Sequence, residues 1–113
     1  MTADERQFLK TAAWMFMRHG QRSRALAVCE ALAEDDPRDG VAAVAFAELL
    51  LGDGAAGRAI DVLHAAEMPP ELDHAEAILE TRALRMMARD GEAAARWRRH
   101  LEARKGAARQ WVG

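Results

Sequence analysis

Tyrosine is absent from this chain, serine and cysteine each occur once, and proline occurs three times. The lone Cys29 excludes an internal disulfide and suits a reducing compartment. Ser23 lacks the G-x-S-x-G setting of a hydrolase nucleophile and reads instead as the start of a helix. No apolar run approaches the ~18–20 residues that span a bilayer. The opening MTADERQFLK carries acids and no apolar signal core, so the expectation is a soluble cytoplasmic protein, not embedded in a membrane. Val, Ile and Thr together number ten, against abundant alanine, which disfavours sheet and favours helix. HExxH, paired CxxC, GxGxxG and GxxxxGK[ST] are all missing. His19, His64, His74 and His100 are scattered, none four residues from another. The expectation is therefore no catalytic residue, no metal and no cofactor.

Net charge is −2, which implies no general attraction to nucleic acid. Its distribution is uneven: residues 1–90 carry 10 Lys/Arg against 16 Asp/Glu, and residues 91–113 carry 6 against 2. The basic stretch RWRRHLEARKGAAR suits either a nucleic-acid patch or a solvated last helix whose cations favour its C-terminal dipole; we read it as the second. Glu34-Asp35-Asp36 reads as a solvated turn rather than a cation site, and Cys29 as a small buried hydrophobe.

Apolar spacing and turn residues divide the chain into six helices: from Asp4 to near His19, Ser23 to Asp35, Val41 to Leu51, Ala55 to Glu67, Leu72 to Arg89 and Glu92 to Arg104. Gly106 ends the last and leaves a tail over 106–113. The segment GQRSRALAVCEAL (20–32) returns as GAAGRAIDVLHAA (54–66), with Gly20/Gly54, Arg24/Arg58, Ala25/Ala59 and Val28/Val62 all 34 apart. Ala13/Ala47 and Phe16/Leu50 share that spacing. Thirty-four residues is the period of tetratricopeptide repeats. One helix pair cannot bury its apolar face unaided, but stacked neighbours can. The fold expected is all-α: one domain, 1–113, of three tandem units (about 5–37, 40–70 and 72–105) forming a short right-handed superhelix with a concave groove. The third unit fits least. Gly54 to Gly91 is 37 residues, which puts Arg96 where alanine belongs; a shorter turn would put Ala93 there and Trp97 on the packing face.

TAAWMFMRHG (11–20) is apolar nearly all round, so it needs cover on more than one side. In a tetratricopeptide array the first helix of each pair lines the groove. Trp14 and Met17 would then face it together, joined by Val41, Val44 and Leu51 of the third helix and Ile78 of the fifth. Lys10, Glu48 and Arg85 would frame that surface. Methionine and tryptophan suit adaptable binding of a helix or peptide. Without a partner, such a surface favours weak homodimerisation.

The stretch ERQFLKTAAWMFMRHGQRSRALAVCEALAEDDPRDGVAAVAF resembles the opening of the small tetratricopeptide chaperones of bacterial type III secretion, of the YscY (SctY) type. Gln7, Phe8, Leu9, Trp14, Gly20, Arg24, Ala25 and Pro37 carry the likeness, which is concentrated in residues 5–40. The needle-subunit chaperones, the YscG type, are similar in size and fold. The resemblance implies a small secreted partner of the YscX type held in the groove. It also implies delivery of that pair to the export gate at the inner face of the bacterial inner membrane.

Overall fold

A computed structural model of the chain describes residues 1–112, and no strand occurs among them. The helices are α1 (Ala3–Arg18), α2 (Arg22–Asp35), α3 (Gly40–Gly52), α4 (Ala56–Ala65), α5 (Asp73–Met86) and α6 (Asp90–Val112), with a 3-10 turn at Pro70–Leu72. Their starts use side chains to satisfy backbone N–H groups that have no helical partner. The Thr2 hydroxyl accepts from the Glu5 N–H at 3.1 Å, and the Asp39 carboxylate from the Ala42 N–H at 3.2 Å. Asp36 is extended ahead of Pro37, which closes α2.

The same turn is built three times, 34 residues apart. The N–H of Gln21 donates to the Phe16 carbonyl, that of Ala55 to Leu50 and that of Arg89 to Leu84, each at 2.8 Å. The residue before each donor sits in the left-handed region: Gly20 at φ 72°, Gly54 at φ 79° and Ala88 at φ 58°. The third turn is therefore centred on Ala88. The 37-residue spacing to Gly91 is corrected, and the shorter-turn alternative is the one the backbone adopts.

Restoring that register aligns the small residues at the helix contacts. Ala25, Ala59 and Ala93 are all buried on the second helix of each pair, and Ala13, Ala47 and Thr81 on the first. Helices pack in adjacent pairs, α1 with α2, α3 with α4 and α5 with α6. In addition α2 lies on α3, α4 on α5, and α3 touches both α1 and α5. This puts α3 at the centre. Ten of its residues are buried, Phe46 and Leu49 at 2% exposure among them, so it shows no apolar stripe.

α5 stops at Met86 rather than Arg89, where the turn centred on Ala88 begins. Two further boundaries depart from expectation. α4 ends at Ala65, and Glu67 turns away to pair its N–H with the Arg38 carbonyl at 2.9 Å. α6 does not stop at Gly106 but continues to Val112; a glycine inside a helix costs only about 1 kcal/mol. The expected tail over 106–113 is thus helical as far as Val112, and Gly113 lies outside the described residues.

Candidate functional site

α1, α3 and α5 form a layer, and their positions 34 apart fall into rows: Lys10/Val44/Ile78, Trp14/Glu48/Arg82 and Met17/Leu51/Arg85. Every residue expected at the groove except Val41 lies in one of these rows, and Val41 sits three residues before Val44. Trp14 is 47% exposed, Val41 40% and Ile78 37%. Trp14, Lys10 and Val41 line one notch with Ala13 and Ala45 at its floor. Glu48 reaches from α3 to Arg82 of α5 at 3.7 Å, and Arg85 lies exposed one turn beyond. The side chains that remain open are thus an apolar triad with a charged bridge.

Three expected groove residues are placed differently, and Lys10 only in part as foreseen. Val44 and Leu51 are core, at 9% and 4% exposure, because α3 has neighbours on almost every side. Met17 is half-buried and packs against the core, so it is less open than Trp14. The Lys10 ammonium lies 2.9 Å from the Asp39 carboxylate, so its charge is already engaged.

Asp39 is the centre of a network that the sequence does not announce. Arg6 donates to Asp39 at 2.7 Å, to Asp35 at 2.6 Å and to the Leu32 carbonyl at 3.3 Å. Burial would raise the Asp39 carboxyl, but hydrogen bonds from Arg6, Lys10 and the Ala42 N–H outweigh it and hold the group at about 2. Asp35 is exposed, as expected, but it is the last residue of α2 and pairs with Arg6.

The third pair is polar where the others are apolar. Arg96 occupies the position of Val28 and Val62, and lies 2.8 Å from Glu80 and 3.7 Å from Glu76. Burial, then Glu80, pushes the Glu76 carboxyl upward. Arg96, Glu80 and His64 border a cleft of about 440 Å³ between α4 and α6, where Arg89 also pairs with Glu92. Nearby, the His74 Nδ1 lies 2.9 Å from the His100 Nε2 and 3.1 Å from an Arg104 nitrogen. Arg104 can only donate, so His74 Nδ1 is an acceptor and the proton between the rings sits on His100. Trp97 lies against both rings. Histidines 26 residues apart look unrelated in sequence. The signal that joins them is the 34-residue register, which puts His100 where Leu32 stands in the first unit.

Among the described residues no cluster of three or more His, Cys, Asp or Glu could hold a metal. Cys29 is buried, and burial pushes its thiol up to about 11, which keeps it protonated and inert. No helix among them is long and apolar enough to cross a membrane. No family profile, curated protein or solved structure matches the chain.

Proposed function

We propose that this chain is a binding protein of tetratricopeptide type, a short right-handed superhelix of three units whose α1/α3/α5 side receives a helix of another polypeptide. One observation carries the reading: Trp14, Val41 and Ile78 stand open on the same layer of helices, where burial would otherwise be expected of such side chains. The three identical turns support the repeat. Together with the likeness in residues 5–40, this favours a cytoplasmic chaperone of type III secretion. Its client is a small secreted protein of the YscX type, kept from aggregating until the pair meets the export gate. The greasy face of an amphipathic client helix would bury the triad. Glu48, Arg82 and Arg85 would set its register rather than its affinity.

Trp14→Ala tests this directly. A buried aromatic anchor contributes about 1–2 kcal/mol or more at an interface, so affinity for a co-expressed YscX-type protein should fall about tenfold or more. Helical content by circular dichroism should stay at the wild-type level. Leu51→Ala is the contrast, because it removes core: it should lower stability by about 2–5 kcal/mol. The reading is sunk if wild-type protein fails to co-purify with such a partner, or if Trp14→Ala unfolds the chain.

A further inference from the structure

We propose that copies of this chain stack head to tail, with α6 of one copy laid against the open side of α1 of the next. The 34-residue register shows what α1 lacks. On α3 the positions Ala42, Phe46 and Leu49 are covered by α2, at 6%, 2% and 2% exposure. Their counterparts on α5 are Glu76, Glu80 and Ala83, half-buried or buried beneath α4. On α1 the same positions are Phe8, Ala12 and Met15, and Phe8 is 72% exposed and Met15 50%. α1 therefore presents an apolar face of the kind that a second-position helix covers in the two units that follow.

The helix that fits is at the other end of the same chain. α6 is the last second-position helix, and no further helix lies on its outer side among the described residues. Leu26, Ile60 and Ala33 pack partly buried against the core; the α6 residues in register with them are Ala94, for the first two, and Leu101, for the third. Ala94 is exposed and Leu101 is 40% exposed.

Charge selects the same arrangement. At the α2–α3 junction the first residue of α2, Arg22, lies 2.8 Å from Asp53, just past the end of α3. Arg22 also lies against Gly52, and the residue in register with Gly52 on α1 is Arg18, so the corresponding pair between copies is Asp90 of α6 with Arg18 at the end of α1. The signs are exchanged and the attraction is kept. At the opposite end α6 continues as a helix past the point where α2 stops at Asp35, and it carries basic Lys105 toward the acidic first turn of α1, Asp4 and Glu5. Both ends of the contact are therefore complementary when one copy continues the screw of the last. Such a contact joins two different surfaces, so it propagates rather than closing as a two-fold dimer does. It uses a side of α1 other than that of Trp14, so it stands apart from the client-binding reading.

Sedimentation velocity over a concentration series, with Phe8→Glu and Leu101→Glu variants, tests the proposal. Wild-type protein should gain mass in steps of one copy as concentration rises. Each variant should remain a monomer with unchanged circular dichroism, since both residues are exposed. A mixture of the two variants should give a dimer of one copy of each and no larger species, because each supplies the surface the other lacks. Met15→Glu and Lys105→Glu form a second such pair, to be used if either first variant misfolds. The proposal fails if wild-type protein stays monomeric throughout, or if the mixture does not pair. Monomeric Phe8→Glu beside self-associating Leu101→Glu would likewise overturn it, since that marks a symmetric α1-to-α1 contact.

Discussion

Ala88 holds a left-handed backbone, at a cost of roughly 1–2 kcal/mol for an L-residue, where Gly20 and Gly54 do so freely. Ala88→Gly should therefore raise stability by about 0.5–1 kcal/mol once the added freedom of the unfolded chain is offset. A thermal melt checks this, and a lower midpoint would mean that Ala88 makes a contact worth more than its strain. The same residue explains why the third unit is hard to read in sequence. A search for the turn glycine finds Gly91, three residues late, and every position after it slips. The exposure of Trp14 was legible because α1 carries large apolar side chains round most of its circumference, more than its neighbours can cover. Lys10 was legible only in half: its place beside Trp14 follows from helical spacing, but its bond to Asp39 depends on how α1 and α3 approach.

Element by element, α3 and the α5–α6 pair mark the extremes. α3 is apolar on all sides because it touches four helices, which is why Val44 and Leu51 went inward although their spacing matches the groove rows. Amphipathic spacing cannot separate a groove residue from a core residue when a helix has no polar face. Between α5 and α6 the contact relies on polar groups: the Arg96 bridge to Glu80, the His74–His100 pair, and the Thr81 hydroxyl, which is buried without a hydrogen-bond partner. Burial holds the His100 ring below the usual histidine range, and His74, Arg104 and Arg96 add to this against Asp73. A histidine with a depressed pKa in the fold contributes stability that is present above about pH 6.5 and is lost as pH falls through the lower value. Acidification from about pH 7 to 5 should thus loosen α6. His100→Leu should remove that component and raise stability at acid pH; retention of the full acid effect in this variant would exclude the pair as its source. Asp39 acts in a separate window, between its ordinary value and about 2, because there the carboxylate must be protonated.

Across the whole molecule, the 15.2 Å radius of gyration exceeds the ~13 Å of a compact domain of this length. The stack is open, and its extents of 42 × 35 × 24 Å reflect helices laid side by side with α6 running past its neighbours. On the proposed repeat reading, stability is a sum of units and the contacts between them rather than one global value. Native-state hydrogen exchange should therefore be slowest in α3 and fastest in α6, with α5 between. Equal protection in α3 and α6 would contradict this. The all-helical layout and the breaks at Pro37, Gly54 and Pro69 were legible because punctuation and periodicity are local. The Arg6–Asp39 network and the histidine pair were not, since each joins residues more than twenty positions apart whose meeting depends on the packing of whole helices.

With no tyrosine to compete, the three tryptophans divide the molecule's ultraviolet emission among three locations. Trp14 would shift toward the blue as the proposed client dries its ring, while Trp97, wedged beside His100, would dim as that imidazole takes up a proton. Trp111, 92% exposed, supplies a steady solvent-like background. One unlabelled cuvette thus distinguishes occupancy at one end of the protein from protonation at the other.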